Sequence, residues 1–557
     1  MQLFHQVKNR LATYSYELIF LCMMILFTAL TKPPMLFDQF MWAEMATNYF
    51  KNAHLGFFEQ LMVTDYGYLQ FTQRFITYVG HILQIPTSLI PYFYNWSSLT
   101  TIFLILVPFI SSRYEVIIKE KSLRLAIVLI IFVIADFETI NFISFSYFGL
   151  FLLLIESMRL FWTKQIVWYD YLLPFLFLSK PILLIFYPIF FVLLCLIRNK
   201  EFFIIFLLSS FLVILQIYTA IEYIGNPALS TVENNIVISS DKFFSAFLLL
   251  FASLSKIILY GFIHNLYLAL IIGFLIVIFL FKNLNQHNRI NLLIILIVTF
   301  SGILFNLLVL SNWQQLDEIF DKRFFRQNIF IYMNFILLIG IIVSNIKSFK
   351  FFSNIKFIQK TKPSSLFLLS LIISLLFPMH LIENAFKINK TYLSGSKEWG
   401  NIIYQDNSEY CHAINPSRWI FTNTNCRRYQ DSLLSEQRLS RYFSKDKVNN
   451  IKIAVQADSI PNQLFVFGIT IKVDESKTIY KKSKISCDLS IFDNDNNLLV
   501  NSSKIFKLRS GKGVVEFNHQ PIPLKSTDHV FELTCDKHFY YDSPQGYQAN
   551  YFILGKS

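Results

Sequence analysis

Between its first two long apolar segments the chain places Asp38, Glu44, Asp65 and then Arg74. Acids and a cation in one long inter-span loop suit two kinds of chemistry. A carboxylate can take the proton of an attacking hydroxyl, and a cation can hold an oxyanion as its charge grows. Asp38 follows Pro33-Pro34, which blocks a helix upstream, and stands at the start of a helix expected to continue through Ala43 to Tyr49. The same position suits a helix cap, for which Asp is a preferred residue, so the residues alone leave base and cap both open. Glu44 lies further round that helix and reads as a substrate or structural partner. Asp65, in Val63-Thr64-Asp65-Tyr66-Gly67-Tyr68-Leu69, is a second acid for the same site or the first residue of a turn relaxed by Gly67. Arg74 suits a phosphate, or a lipid head group reached by a snorkelling side chain.

Other ionisable residues stand at the ends of apolar segments, where they are costly and mark candidate sites. Asp136-Phe137-Glu138-Thr139-Ile140-Asn141 separates two spans, and Glu138 is placed to bind an acceptor hydroxyl or to orient a cation, unless the loop is simply solvated. Lys180, in Leu178-Ser179-Lys180-Pro181, falls in a hairpin between two short apolar runs. Asp321-Lys322-Arg323-Phe324-Phe325-Arg326 opens a later span, and Arg323, then Arg326, is the choice for an anionic group, because a guanidinium binds phosphate with two parallel hydrogen bonds. Head-group anchoring explains either arginine equally well. No Cys-x-x-Cys spacing occurs and nothing in the sequence supports a divalent metal; there is also no Walker motif for an ATP-driven pump.

The elements that hold these residues follow from composition. Hydrophobic residues make up 54% of the 557 and charged residues 15%, against about a quarter charged in an ordinary soluble domain. The run Tyr16 to Leu30 follows Lys8 and Arg10, as a signal peptide would, but no small-residue cleavage site follows and apolar runs keep recurring. It reads as a first transmembrane helix with a cytoplasmic N-terminus. Span length and the gathering of Lys and Arg on the cytoplasmic side together predict about eleven crossings: 16–31, 93–112, 122–135, 144–160, 167–179, 182–197, 202–222, 263–281, 290–309, 326–345 and 365–383. The loops so assigned to the cytoplasm carry Arg113, Lys119, Lys121 and Arg124, then Arg159 and Lys164, Arg198 and Lys200, Lys282 and Arg289, and a cluster from Lys347 to Lys362. An odd count places the C-terminal region outside. Segments 72–86 and 243–258 break the parity and are read as helices lying in the outer interface, the alternative being ordinary spans. The net charge of +13 is then orientation signal and attraction to anionic lipid, and no nucleic-acid partner is inferred.

After Glu383 the long apolar runs stop. Segments 384–447 read as a partly helical linker, and 448–557 as an antiparallel β-sandwich with strands at Ile451–Ala457, Gln463–Val473, Ser483–Phe492, Leu498–Leu508, Gly513–Phe517 and His529–Thr534. Cys22 and Cys195 fall in apolar spans and read as packing residues. Cys411, Cys426, Cys487 and Cys535 fall in the soluble part, where three pairings are open; 411 with 426 and 487 with 535 is favoured, in an oxidising compartment.

Phe37-Asp38-Gln39-Phe40-Met41-Trp42-Ala43-Glu44-Met45-Ala46 resembles the acidic segment, ending in Ala-Glu-Ile, that opens the first outer loop of GT-C class membrane glycosyltransferases, especially the bacterial aminoarabinose and protein-mannose transferase branch. Gln39 and Trp42 stand where that segment has a second acid and a Tyr. The resemblance covers roughly residues 1–383, with looser likenesses at Asp65-Tyr66-Gly67-Tyr68, at Glu138-Thr139-Ile140-Asn141 and at Arg323-Phe324. It implies a polytopic α-helical membrane enzyme, in a bacterial inner membrane, that moves a sugar with inversion from a polyprenyl-phosphate donor to O-antigen, capsule or lipid A on the periplasmic face, with Asp38 as general base and Asp65 beside it. A lipid-linked glycan flippase, and a polymerase or ligase using a diphosphate-linked donor, are the rival expectations. Neither the sugar nor the oligomeric state is readable.

Overall fold

The computed structural model describes residues 14–37, 41, 44–64, 67–225, 240–259, 266–309, 325–346, 361–363 and 365, and in the C-terminal part 411–414, 419–422, 426–431, 448–455, 463–472, 482–509, 512–524, 529–541 and 551–556. The chain divides into two compact units: Met1–Leu36, Asn52–Ile85 and Phe93–Ile388 form one, and Phe37–Lys51, Pro86–Tyr92 and Asn389–Ser557 the other.

The helical part comprises α1 (Ser15–Thr31), α2 (Phe71–Ile82), α3 (Ile90–Leu106), α4 (Lys121–Ile134), α5 (Gly149–Thr163), α6 (Tyr187–Ile197), α7 (Lys200–Gly225), α8 (Ser240–Leu259), α9 (Leu266–Asn283), α10 (Gln286–Val309) and α11 (Phe325–Asn345). Among the described residues five helical stretches are long and apolar enough to cross a membrane: Thr87–Ile110, Phe145–Thr163, Lys200–Glu222, Gln286–Leu308 and Gln327–Asn345. Ser15–Thr31, Pro181–Ile197 and Tyr267–Asn283 are shorter apolar helices. The expected crossing at 365–383 lies outside the described residues, save Ser365.

The surface of these helices is apolar. On α7, Ile204, Leu207, Phe211, Ile214, Tyr218 and Ile221 recur at three- and four-residue steps and are 51–66% exposed, whereas Ser209, Gln216 and Thr219 are buried. In water so long an uncovered apolar stripe is unfavourable. In hydrocarbon it costs nothing, since lipid tails are as apolar as Leu and helices associate through close packing and internal polar contacts instead. The chain is thus built as a membrane protein. Close packing is visible at Gly273 of α9, where an added Cβ would stand 1.9 Å from the backbone oxygen of Phe251 on α8; beside it Ser255 Oγ donates to Ala269 O at 2.5 Å. Cys22 and Cys195 are exposed on this surface rather than packed inside, which corrects their reading as packing residues.

Helix α2 is twelve residues long, too short for an untilted crossing of about 20. Its amphipathicity is inverted: Gln73, Arg74, Thr77 and Gly80 are buried while Phe75 and Ile82 are exposed. Its polar side faces the protein and its apolar side is exposed. The expected spans at 167–179 and 182–197 begin instead as 3₁₀ turns, Trp168–Leu178 and Pro181–Phe186. Pro174 sits inside the first and Pro181 opens the second, and a missing N–H is easier to accommodate in this tighter winding than in an α-helix interior.

Two arginines expected in loops are internal fasteners. Arg124, fully buried, donates from Nε and Nη2 to Ile110 O at 3.3 and 3.2 Å and from Nη1 to Ile118 O at 2.5 Å and Lys119 O at 2.9 Å, so it holds the carbonyls that end the preceding 3₁₀ turn and loop. Arg159, 2% exposed, donates from Nε to Glu156 Oε2 at 2.5 Å, from Nη2 to Asp170 Oδ1 at 2.5 Å and from Nη1 to Gln165 O at 2.8 Å. Tyr114 completes the network by donating its hydroxyl to Glu156 Oε1.

In the C-terminal part β1 (Cys411–Ile414) pairs with β2 (Trp419–Thr422). The remaining strands are β3 (Cys426–Asp431), β4 (Val448–Val455), β5 (Gln463–Lys472), β6 (Lys482–Phe492), β7 (Leu498–Arg509), β8 (Lys512–Pro523), β9 (His529–Tyr541) and β10 (Tyr551–Lys556). They are hydrogen-bonded in the order β3-β10-β5-β8-β7-β6-β9-β4, with a further β5–β9 pairing at Ile471↔Tyr541 and Lys472↔Tyr540. Among the described residues β7 and β8 share only Arg509↔Lys512, and strands from both four-stranded halves of the order contribute to one core. Alternation supplies that core: Ile485, Cys487, Leu489 and Ile491 of β6, Phe467, Ile469 and Ile471 of β5, and Phe531, Leu533 and Cys535 of β9 are buried together. Cys487 and Cys535 are directly opposite on paired strands and form a disulfide. The side chains of Cys411 and Cys426 lie outside the described residues.

Candidate functional site

The segment between α4 and α5 is the hub of a buried polar belt in the helical unit. Asp136 ends the link from α4, and the helix Phe137–Ile140 starts on it: Asp136 Oδ1 accepts from Thr139 N at 2.8 Å and from Thr139 Oγ1 at 2.5 Å. Asn141 Oδ1 then accepts from Ile143 N and Ser144 N at 3.0 and 3.1 Å, turning the chain into α5. Such local side-chain acceptors satisfy backbone donors that no helix serves.

Three other elements converge on this hub. From α2, Gln73 Nε2 donates to Ile143 O at 3.2 Å and Ser146 Oγ at 3.4 Å, next to fully buried Arg74. From α3, Ser98 Oγ donates to Ile140 O at 2.5 Å, the Tyr94 ring stacks on Phe142 at 4.4 Å, and Arg74 lies within electrostatic reach of Tyr94. Gly80 permits this approach of α2 and α3, since a Cβ there would stand 2.7 Å from the Phe93 ring. From the hairpin between the two 3₁₀ turns, Lys180 Nζ donates to the Tyr68 hydroxyl at 2.9 Å and lies 4.9 Å and 5.7 Å from the ring centroids of Tyr68 and Tyr147. Nearby, Gln216 Oε1 of α7 accepts from Leu69 N at 3.0 Å.

Lys32, just past α1, adds a third buried cation. It is fully buried, 5.0 Å from the Phe27 ring centroid and 3.4 Å from Thr31 Oγ1, and it feels the charge of Asp136. Burial, reinforced by the neighbouring charge of Glu138, pushes the Asp136 carboxyl up to about 6, against the smaller opposing effects of Thr139 and Lys32. Lys32, Asp136 and Glu138 thus lie within electrostatic reach of one another, while Arg74 is buried near Tyr94 and Lys180 is buried against Tyr68 and Tyr147. Desolvated cations in fixed positions can hold an anion strongly, because no water must reorganise first.

Of the residues expected from sequence, Arg74, Glu138 and Lys180 lie in this unit, Arg74 near Tyr94, Glu138 near Asp136 and Lys180 on the Tyr68 hydroxyl. Glu44 belongs to the other unit; it is half-buried and precedes Met45–Phe50, which is wound as a π-helix rather than the expected α-helix. Asp38, Asp65 and Arg323 lie outside the described residues, and so does the side chain of Arg326, whose backbone is in the first turn of α11. Sequence reasoning missed Lys32, Gln73, Tyr94 and the Tyr68 partner of Lys180. Lys32 was the legible one, a lone cation ending an apolar span. Among the described residues no group of three or more His, Cys, Asp or Glu is placed to hold a metal ion. Comparisons of the chain with protein-family models, curated proteins and solved structures give no match.

Proposed function

We propose that the chain is an inverting membrane glycosyltransferase that takes a sugar from a polyprenyl-phosphate donor and passes it to a bacterial cell-surface glycan on the periplasmic side of the inner membrane. What supports this reading is that three cations of the helical unit, Lys32, Arg74 and Lys180, are buried, Lys32 within electrostatic reach of Asp136. A lipid-borne phosphate is the anion able to reach such a place from within the bilayer. In the step proposed, Asp38 accepts the proton of the acceptor hydroxyl, the acceptor oxygen bonds to the anomeric carbon from the face opposite the phosphate, and the carbon–oxygen bond to phosphate breaks. The electron pair leaves on the polyprenyl phosphate, already a weak base, so no general acid is required. The roles of Asp38, Asp65, Arg323 and Arg326 rest on the loop resemblance.

The test is transfer of radiolabelled sugar from purified polyprenyl-phosphate sugars to isolated surface glycan by the reconstituted chain, with Asp38→Asn and Arg74→Gln at equal expression. The proposal expects transfer by wild type, loss in Asp38→Asn with donor binding kept, and weakened donor binding in Arg74→Gln. Movement of lipid-linked glycan across vesicles without transfer would make the chain a flippase instead.

A further inference from the structure

The chain leaves the helical unit at Phe37 and rejoins it at Asn52, then leaves it again at Pro86 and rejoins it at Phe93. In sequence these excursions lie between α1 and α2 and at the start of α3. In space both belong to the same compact unit as Asn389–Ser557. Two points show what holds them there. At the first, the Tyr92 hydroxyl donates to Phe37 O at 3.4 Å, the carbonyl directly before Asp38. At the second, the π-helix Met45–Phe50 lies against β2. β1 pairs with β2 from Cys411↔Thr422 to Ile414↔Trp419 and lies against β5 and β10 of the eight-stranded sheet. A path of packed elements thus runs from the sheet through the β1–β2 pair to the segment that carries Glu44.

The π-helix is closed by Lys51 N donating to Ala46 O at 3.1 Å. π-turns are rare, and so short a helix has little stability of its own in water, so this one depends on what it packs against. Met41, Met45 and Tyr49 recur at four-residue steps and, with Ala46, are 0–3% exposed, whereas Lys51 is exposed. A stripe of this kind keeps its apolar area out of water only while its partner is in place. The order of the first-loop segment and the order of the strands beside it are therefore linked.

We propose that the C-terminal β-sheet region acts through the β1–β2 pair as a clamp on the first-loop segment Phe37–Lys51, so that the loop carrying Asp38 and Glu44 is ordered only while that clamp is closed. Calling this the loop of the general base rests on the transferase reading above, whereas the clamp itself stands on the contacts. The experiment is amide hydrogen exchange of the full chain in nanodiscs, read by mass spectrometry of its peptides. In wild type, both Met45–Phe50 and the β1–β2 pair should exchange far more slowly than an unfolded chain. Ala46→Asp puts a charge on the buried side of the π-helix, and Ile420→Pro removes an N–H from β2 and disfavours its pairing. Each variant should speed exchange about tenfold or more in its own element and in the other one, since coupling between two sites is reciprocal. Strand β6 and helix α5 should stay protected in both, and Lys51→Gln should change nothing. A wild-type Met45–Phe50 that exchanges like an unfolded chain, or a variant that loosens its own element and leaves the other protected, overturns the proposal. If Ile420→Pro also loosens β6, Ala46→Asp decides, because that change lies outside the strands. No donor is present, so a failure of transfer and a failure of the clamp are separately visible.

Discussion

Replacing Arg159 by Met should be among the most destabilising single changes in the helical unit. Arg159 is 2% exposed and Glu156 and Asp170 are fully buried, and its guanidinium donates to both carboxylates at 2.5 Å and to Gln165 O at 2.8 Å. Methionine matches its length but removes the cation that both acids share, leaving Asp170 only the weaker influence of Arg113. Glu156 keeps the Tyr114 hydroxyl, and Asp170 keeps the Val167 N–H at 2.8 Å, so neither acid is stripped of every partner. Removing one member of a buried ion pair costs about 3–5 kcal/mol, which is roughly a factor of 10² to 10⁴ in the unfolding equilibrium. Arg159→Lys should fall between, because an ammonium lacks the planar fork that spans both acids. Glu156→Gln/Arg159→Met/Asp170→Asn should recover most of the loss, since it buries no charge and both amides can still accept from Tyr114 and Val167. The assay is equilibrium unfolding in mixed detergent–SDS micelles followed by circular dichroism. An Arg159→Met variant within about 0.5 kcal/mol of wild type, or a triple variant no better than the single one, would refute the reasoning.

Cys487 and Cys535 are separated by 48 residues, so closing that loop stabilises the sheet by about 4 kcal/mol on chain-entropy grounds; Cys487→Ser/Cys535→Ser should lower its thermal midpoint, and reductant should do the same to wild type but not to the variant. Asp136 titrates higher in the folded protein, at about 6, than its ordinary 3.8. Its contribution to stability is therefore full below the ordinary value and is lost as pH rises through about 6, a span worth roughly 3 kcal/mol. Asp136→Asn keeps a capping oxygen and removes that titration, so its stability relative to wild type should rise from pH 4 to pH 7.5. A difference between the two that does not change with pH would contradict this.

The buried arginines show where legibility ended. Glu156 and Arg159 stand three apart in an apolar span, a spacing that places them on one helix face, yet a positive-inside reading assigns Arg159 to a loop because charge near a span end usually seeks water. Only the approach of Asp170, eleven residues on, made burial tolerable, and such partners are set by the path of the chain. Arg124 was hidden for the same reason, since its partners are backbone carbonyls with no sequence signature. The strands were readable where alternation was clean, as in β6. β8 was read short at Phe517 although it runs to Pro523, because Pro521 and Pro523 argue against a strand interior. β3 was missed because its Cys-Arg-Arg-Tyr-Gln-Asp run lacks an apolar face; among the described strands it ends the order, paired with β10, where charge is tolerated.

By itself the amino-acid order determined that apolar segments enter a membrane and that alternating segments after residue 383 form a sheet, because hydrophobic length and period are local properties that solvent reads directly. It also marked Arg74, Glu138 and Lys180 as ionisable groups out of place. Tertiary structure decided that Arg74 and Lys180 are buried, that Lys32 and Glu138 lie within electrostatic reach of Asp136, that the polar side of α2 turns inward, and that Cys487 faces Cys535. Each of these depends on contacts between distant parts of the chain, where the cost of burying a charge or a polar group is offset by a partner no local pattern announces.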